Sequence, residues 1–299
     1  MNLIFKIIIK SFKKMRLYES PLKRKFHKFL FKKNNNPIVI KNNTIPDIGY
    51  YKLSIGDFKK NNLGNNIEEV FLAADKLLSE KTNIKSSGKK SYLRNLLEED
   101  NIITIKIFLN FVLNDFFVSK VKSYLREEPL LTELKLLVSP ANGSSSKRFS
   151  GSQLFHRDFD DEKNIKIFFH LSDVGLESGP LQVIDKKISN FISKKNNLNY
   201  GLHSDKIENL AKQKVNVISL LGRKGDCYLV DTCQCYHRGS RTGQKDRIIL
   251  YANFSTRSSF RFSPLFLKSK NHLIIQNHSP LSKYEYLVDK KKGSYLKNI

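Results

Sequence analysis

A change of pattern near residue 130 constrains the fold of this 299-residue chain most strongly. Before it, apolar residues recur with helical spacing, which predicts helices near Ile67–Glu80 and Ile105–Leu125. After it, short runs rich in β-branched and aromatic residues alternate with turn residues, as strands do. These runs are LLTELKLLV, SQLFHRDF, IKIFFHLSDV, GPLQVI, VNVISL, DCYLVD, QCYHRG and RIILYANF. The sequence therefore predicts a mainly β (α+β) fold, a double-stranded jelly roll or barrel preceded by packing helices.

We expect a basic N-terminal arm over residues 1–45 and a single domain over residues 46–299. Within that domain, a helical prelude spans about 46–128, the jelly-roll core about 129–258 and a C-terminal extension about 259–299. The arm opens with MNLIFKIIIKSFKKM, which separates lysines from apolar residues as a basic amphipathic helix does. Two interpretations stay open: peripheral contact with an anionic membrane through residues 1–33, or an arm packed on its own domain.

The chain has 53 basic and 28 acidic residues, a formal net charge of +25. Such an excess is typical of proteins that bind nucleic acid or anionic membranes. Of the basic residues, however, only 12 are Arg, the better side chain for two-pronged phosphate binding. We therefore expect a solvated basic surface and no dedicated nucleic-acid binding. The 3 cysteines do not form a disulfide framework, which predicts a cytoplasmic protein, with a peripheral position at a membrane as the alternative.

Three residues have the types and order of a metal site. His156 and Asp158 lie two apart, so on a strand both side chains leave on the same face, and His237 lies in a later strand-like run. Two His and one carboxylate form the facial triad of non-haem Fe(II) oxygenases, which leaves positions open for a co-substrate and dioxygen. Arg247 opens the strand RIILYANF, and its guanidinium suits the far carboxylate of 2-oxoglutarate.

These motifs resemble the phytanoyl-CoA dioxygenase family of Fe(II)/2-oxoglutarate oxygenases. The resemblance covers roughly residues 130 to 257 and rests on HRD, ESGPLQVI, KGDCYLVD, YHRGSR and the later arginine, in that order. It implies a double-stranded β-helix of the cupin-like type, with His156, Asp158 and His237 as catalytic iron ligands and Arg247 as the 2-oxoglutarate anchor. It also implies an oxygenase that decarboxylates 2-oxoglutarate to succinate and hydroxylates a small-molecule or lipid-like substrate.

The chain departs from this family at two places. The usual Pro-Gly-Ser-His is replaced by Ile184-Asp185-Lys186-Lys187, and no Ser or Thr stands two residues after Arg247. The first departure concerns the loop on the substrate side, and the second concerns the contacts of the co-substrate. The carboxylate of Asp158 favours hydroxylation over halogenation, and desaturation or ring formation remain open as outcomes.

Other interpretations of single residues are also open at this stage. Cys233, Cys235 and His237 alternate, so with Cys227 they form a candidate zinc site. His170 is either a core histidine or a substrate contact. Arginines near the metal motifs either hold an anionic substrate or are solvated, and these are Arg157, Arg238 and Arg241. The alternative function is a catalytically silent jelly-roll barrel that binds membrane or polyanions through its basic arm.

Overall fold

The structure is a computed structural model. It describes residues 45–80, 92–97, 102–126, 129–141, 149–196, 207, 216–239, 241, 243–256, 259, 273–276, 285–289 and 294–296. The described strands are β1 (Tyr50–Leu53), β2 (Arg94–Asn95), β3 (Leu130–Ser139), β4 (Asn164–His170), β5 (Gln182–Val183), β6 (Ile218–Ser219), β7 (Cys227–Val230), β8 (His237–Arg238), β9 (Arg247–Ser255), β10 (Leu273–Gln276), β11 (Glu285–Asp289) and β12 (Ser294–Leu296). The described helices are α1 (Ile55–Lys60), α2 (Gly64–Glu80), α3 (Ile102–Val112), α4 (Asp115–Leu125) and α5 (Lys186–Lys195).

Two antiparallel sheets form the centre of the molecule. The larger has six strands in the order β1-β7-β4-β9-β3-β2, and the smaller has three strands in the order β6-β5-β8. The long strands β3 and β9 pair from Leu130 with Ser255 to Ser139 with Arg247, with one irregularity near Thr132. The short strands of the smaller sheet are held by few ladder bonds, so its position depends on the packing of its side chains.

Strand β4 contributes to a different core on each face, since successive side chains leave a strand on opposite sides. Phe168 points between the two sheets, where it packs with residues from both, including Val183, Tyr228 and Ile249. Phe169 points the other way and joins the helices. This arrangement explains why every residue of β4 is buried. The fold is therefore mixed, with helices on one face of the large sheet and the small sheet on the other.

Aromatic residues fix the helices to the large sheet. Phe58 in α1 lies with its ring centroid 5.9 Å from that of Phe169, and Phe111 in α3 lies 4.8 Å from the same ring. Both contacts are close to edge-to-face, the favoured geometry of aromatic pairs. Helix α1 begins at a capping box, in which Ser54 and Asp57 exchange hydrogen bonds. The helices thus cover the outer face of the large sheet, and its inner face packs against the small sheet.

The structure confirms the predicted helix at Ile67–Glu80, which begins earlier, at Gly64. The single helix predicted over Ile105–Leu125 is wrong. α3 ends at Val112, and α4 begins at Asp115 after its capping residue Asn114. The Asn114 side chain accepts a hydrogen bond from the Phe116 amide at 2.9 Å, so this residue caps a new helix instead of continuing the old one.

The strand predicted over the run SQLFHRDF is also wrong. Gly151–Gln153 forms a short 3₁₀ turn, and His156 makes only an isolated β-bridge. The strand predicted for the run QCYHRG is limited to His237–Arg238. The predicted N-terminal amphipathic helix lies outside the described residues. Among the residues that are described, no helix is both long and apolar enough to cross a membrane.

Candidate metal centre

His156 and His237 are tied together by their backbones. The His156 amide donates to the His237 carbonyl at 3.1 Å, and the His237 amide donates to the His156 carbonyl at 2.9 Å. The two imidazole ring centroids lie 4.3 Å apart. β8 pairs with β5 on one side, and the His156 segment bridges to β8 on the other side. The His156 segment therefore extends the small sheet at that edge. Two residues far apart in the sequence therefore present their rings at one place.

Both imidazoles have a defined orientation. His156 Nδ1 lies 2.8 Å from the Leu154 carbonyl oxygen, and His237 Nδ1 lies 3.1 Å from the Cys235 carbonyl oxygen. Because a carbonyl oxygen only accepts, each Nδ1 carries the hydrogen, and each neutral ring keeps its lone pair on Nε2. Metal-binding histidines in proteins are held in this way. The local hydrogen bonds thus turn both Nε2 atoms toward the Asp158 carboxylate, as candidate metal donors.

The carboxylate of Asp158 completes the cluster. Its Oδ1 lies 3.8 Å from His156 Nε2, and its Oδ2 lies 3.8 Å from His237 Nε2. Candidate ligand atoms from the three residues all lie within 4.8 Å of one another, and the described part of the chain holds no other such group. The backbone of Asp158 is held by the Thr232 carbonyl, to which its amide donates at 2.9 Å. The site is mostly buried, with the side chain of Asp158 16% exposed.

Lys166 donates a hydrogen bond to Asp158 Oδ2 from β4. Burial alone would raise the pKa of Asp158, but the Lys166 ammonium beside its carboxylate holds this pKa well below its ordinary value. Asp158 is therefore an anion at neutral pH, as a metal ligand must be.

Asp231 and Asn164 hold the turn before the candidate ligand His237, and neither residue was predicted to have a role. Asp231 Oδ1 accepts from the amides of Cys233 and Gln234, both at 3.0 Å, and its Oδ2 accepts from the Tyr124 hydroxyl at 2.7 Å. Asn164 Oδ1 accepts from the Cys233 amide at 3.1 Å. Together they shape the turn that leads from β7 to His237. The acidic residue that ends DCYLVD was the available signal, since Asp favours such turns.

The buried carboxyl of Asp231 makes the stability of this turn depend on pH. Burial raises its pKa from 3.8 to about 6. A raised folded-state pKa contributes stability that is complete below the unfolded-state value and is lost as the pH rises through about 6. We expect Asp231→Asn to lack this loss, so its unfolding free energy relative to the parent should increase by about 2 kcal/mol between about pH 4.5 and pH 7.5. Urea unfolding of both proteins across this range measures the difference, and a flat difference contradicts the prediction.

Arg247 lies on β9, on the same face of the strand as Ile249, which packs between the two sheets. It is 5% exposed, and burial lowers its pKa to about 10, so it is charged at neutral pH. Its Nη2 donates to Ser139 Oγ at 3.2 Å, directly across the β3–β9 pair. The neighbouring His170 is buried, and burial followed by Arg247 lowers its pKa to about 4, so it is neutral at neutral pH. Ser139 therefore gives Arg247 a hydroxyl neighbour from the adjacent strand, whereas no Ser or Thr stands two residues after Arg247.

The residues present fit an iron(II) ion with 2-oxoglutarate beside it. Two neutral imidazoles and one carboxylate form the donor set that non-haem iron oxygenases use. A buried guanidinium in the same inter-sheet space has the charge and shape to hold a carboxylate. Both features belong to the inner faces of the two sheets.

The candidate zinc site at the cysteines is not assembled. Cys233 and Cys235 lie in the turn before β8, not on a strand, and neither joins His237 in a metal-binding group among the described residues. Burial raises the pKa of the Cys227 and Cys235 thiols, which keeps them protonated and poor as ligands. Cys235 instead donates from Sγ to the Ile48 carbonyl at 3.6 Å. The three cysteines behave as small core residues.

The three arginines that lie near the metal motifs in the sequence differ in role. Arg157 is 3% exposed and donates through Nε to the Cys233 carbonyl at 2.9 Å, so it belongs to the buried turn before β8. Arg238 stacks 4.4 Å from the Phe155 ring and donates to Gln182. Arg241 lies 4.2 Å from the Phe149 ring and donates to the Gln153 carbonyl. The last two lie beside the segment that carries His156.

Comparison with solved structures identifies proteins of similar architecture. EctD from S. alaskensis, in a structure with 2-oxoglutarate and 5-hydroxyectoine, matches with a TM-score of 0.50 and 14% identity, covering 75% of this chain and 78% of that chain. The likeness is one of fold. The non-haem α-ketoglutarate-dependent epimerase SnoN from nogalamycin biosynthesis matches with a TM-score of 0.46 and 15% identity over 70% of this chain and 78% of that chain. AviO1 from Streptomyces viridochromogenes Tue57 matches with a TM-score of 0.44 and 13% identity over 73% of this chain and 92% of that chain.

Comparison by sequence adds no relative. The chain matches no protein-family profile, and no curated protein matches it significantly. At these low identities the structural likeness is evidence for the fold, and the site has to be argued from its own residues.

Proposed function

We propose that this protein is an Fe(II)/2-oxoglutarate-dependent oxygenase built on a double-stranded β-helix. Its iron ligands are His156, Asp158 and His237, its 2-oxoglutarate anchor is Arg247, and its second co-substrate is dioxygen. Its substrate is a small or lipid-like molecule that is hydroxylated while 2-oxoglutarate is decarboxylated to succinate. EctD, which resembles it in fold, is described in a structure with 2-oxoglutarate.

The observation that carries the proposal is the orientation of the two imidazoles. Each Nδ1 lies within hydrogen-bond distance of a backbone carbonyl, and both Nε2 atoms face the Asp158 carboxylate at 3.8 Å. Two histidines that only filled the core would not need a carboxylate facing both Nε2 atoms and a carbonyl partner at each Nδ1. This arrangement is what a metal ion requires of its protein ligands.

The protein residues have separate roles in the proposed reaction. The bound iron and 2-oxoglutarate supply the oxidising chemistry. Arg247 and Ser139 hold the far carboxylate and thereby fix the orientation of the co-substrate between the sheets. The apolar residues there, such as Phe168 and Ile249, keep water away from the reacting atoms.

We also assign the chain to the phytanoyl-CoA dioxygenase family, on the order of its motifs. Support comes from the turn Gly179-Pro180-Leu181, because Gly179 has a φ of +61° and a Cβ there would collide with the Arg241 carbonyl. Gly179 thus allows the segment after β8 to pack closely against the residues that precede β5. The replacement at residues 184–187 places Asp185 as the cap of α5, where it accepts from the Ile188 amide at 2.9 Å.

An anaerobic titration tests the proposed function without knowledge of the substrate. Fe(II) and 2-oxoglutarate are added to the protein, and the weak visible charge-transfer band of the chelate is recorded. The proposal expects this band at one iron per chain, followed by slow succinate formation when oxygen is admitted. Folded protein that shows neither would contradict it and would favour the silent barrel. Zinc that survives chelation, without succinate, would favour a structural zinc protein instead.

A further inference from the structure

Strand β4 carries a lysine at a position where core residues are expected. Lys166 is 9% exposed and shares the inner face of the sheet with Phe168, which packs between the two sheets. Lysine is among the residues least often buried, because removing an ammonium from water is costly unless an anion compensates it. The position of Lys166 therefore needs a partner, and the partner identifies its role.

That partner is the metal ligand Asp158. The Lys166 ammonium donates to Asp158 Oδ2, and among the described residues no other carboxylate lies within ion-pair distance of it. The other oxygen, Oδ1, lies 3.8 Å from His156 Nε2. A cation is thus already bound to one oxygen of the carboxylate, while the other oxygen faces the imidazole.

A second lysine in the same region has a different partner. Lys135 on β3 pairs with Glu133 Oε1 at 3.2 Å, and Tyr251 donates to Glu133 Oε2 at 2.7 Å. The ammonium groups of Lys135 and Lys166 lie 5.5 and 5.6 Å from the centroid of the Tyr251 ring. The two lysines therefore share an aromatic neighbour but not a carboxylate. Lys135 is a matched control for Lys166.

We propose that Lys166 is a built-in counter-ion that compensates the charge of the Asp158 carboxylate and holds it in place when no metal is bound. This inference rests on the proposed function, since it concerns the same three ligands. Without Lys166, the metal-free protein would bury an uncompensated carboxylate. With Lys166, the ligand set is already formed and its charge is balanced before the metal arrives.

The Lys166 ammonium stabilises the metal-free protein, but it should weaken the binding of a metal ion. A divalent ion that binds to Asp158 is repelled by the ammonium on the neighbouring oxygen. Replacing Lys166 by an uncharged residue removes one positive charge from beside the ligand set. Removal of the ammonium should therefore destabilise the metal-free protein and strengthen metal binding at the same time. A lysine that served only packing would weaken both states equally.

The experiment uses Co(II) as the probe metal, because it binds the same donor types and is stable in air. The full chain and the variants Lys166→Met, Lys166→Arg and Lys135→Met are unfolded thermally with and without saturating Co(II). The affinity of each for Co(II) is measured by titration. We expect Lys166→Met to lower the melting temperature without metal, to recover most of that loss with Co(II), and to bind Co(II) about tenfold more tightly. Lys166→Arg, which keeps the charge, should retain the parent affinity.

The control and the alternatives separate the possible failures. Lys135→Met should lose the same stability with and without Co(II). If Lys166→Met behaves like this control, or binds Co(II) more weakly, the counter-ion role is wrong while the metal centre stands. If Co(II) does not stabilise the parent at all, the metal centre is wrong and the role of Lys166 fails with it. If Lys166→Met is unfolded without metal, Co(II) should restore its fold, and failure to do so overturns the proposal.

Discussion

Replacing His237 by alanine should weaken Fe(II) binding by at least about a hundredfold and abolish the chelate band. Four-ligand structural zinc sites contribute roughly 10–16 kcal/mol in total, so one ligand is worth on the order of 3 kcal/mol. His237 Nε2 has no replacement nearby, because Cys235 is directed to the Ile48 carbonyl. Anaerobic titration with Fe(II), with and without 2-oxoglutarate, measures both effects.

A control must show that the loss comes from the ligand and not from unfolding. His203→Ala removes a histidine that has no partner at metal-ligand spacing in the sequence. We expect it to leave Fe(II) binding unchanged. Far-ultraviolet circular dichroism should show that both variants keep their secondary structure. A folded His237→Ala protein with the parent's affinity for Fe(II) would remove this residue from the proposed ligand set.

Replacing Arg247 by methionine should raise the concentration of 2-oxoglutarate needed for half-maximal band intensity by on the order of a hundredfold. Methionine fills similar space without charge, and a charge-assisted hydrogen bond contributes about 1.5–3 kcal/mol. Fe(II) binding in the absence of 2-oxoglutarate should stay the same, since Arg247 is not one of the three proposed ligands. The separation of the two affinities distinguishes an anchor from a structural residue.

Two further variants sharpen this result. Arg247→Lys keeps a charge but loses the two-pronged geometry, so we expect an intermediate effect. Arg223→Met removes an exposed arginine from the turn before β7 and should change nothing. Equal 2-oxoglutarate affinities in the parent and in Arg247→Met would show that the co-substrate is held elsewhere.

The sequence predicted much of this site because metal ligands are few in type and keep their order along the chain. His156, Asp158 and His237 were chosen from spacing and residue type, and the structure brings them together. The reason given for their convergence was wrong, however. His156 lies in an isolated bridge and Asp158 beyond it, so the backbone of His237 and the Thr232 carbonyl place them, not strand alternation.

Other parts of the site depend on contacts that one sequence does not reveal. Ser139 meets Arg247 through the register of β3 and β9, which is set by side chains along both strands. Lys166 looked like one more basic residue among 53, and only its burial beside Asp158 gives it significance. The break between α3 and α4 was visible as Asn114-Asp115, but the apolar periodicity on both sides concealed it.

The pairing of the small sheet has a consequence for biosynthesis. Its central strand, β5, has partners only in β6 and β8, and both are made after it. A chain that emerges from the ribosome therefore carries His156 and Asp158 long before the segment that fixes them exists. Domains fold cooperatively, so the three ligands meet only when nearly all of the described sheet has been synthesised. A preformed three-ligand site is then available only after nearly all of the chain has been made.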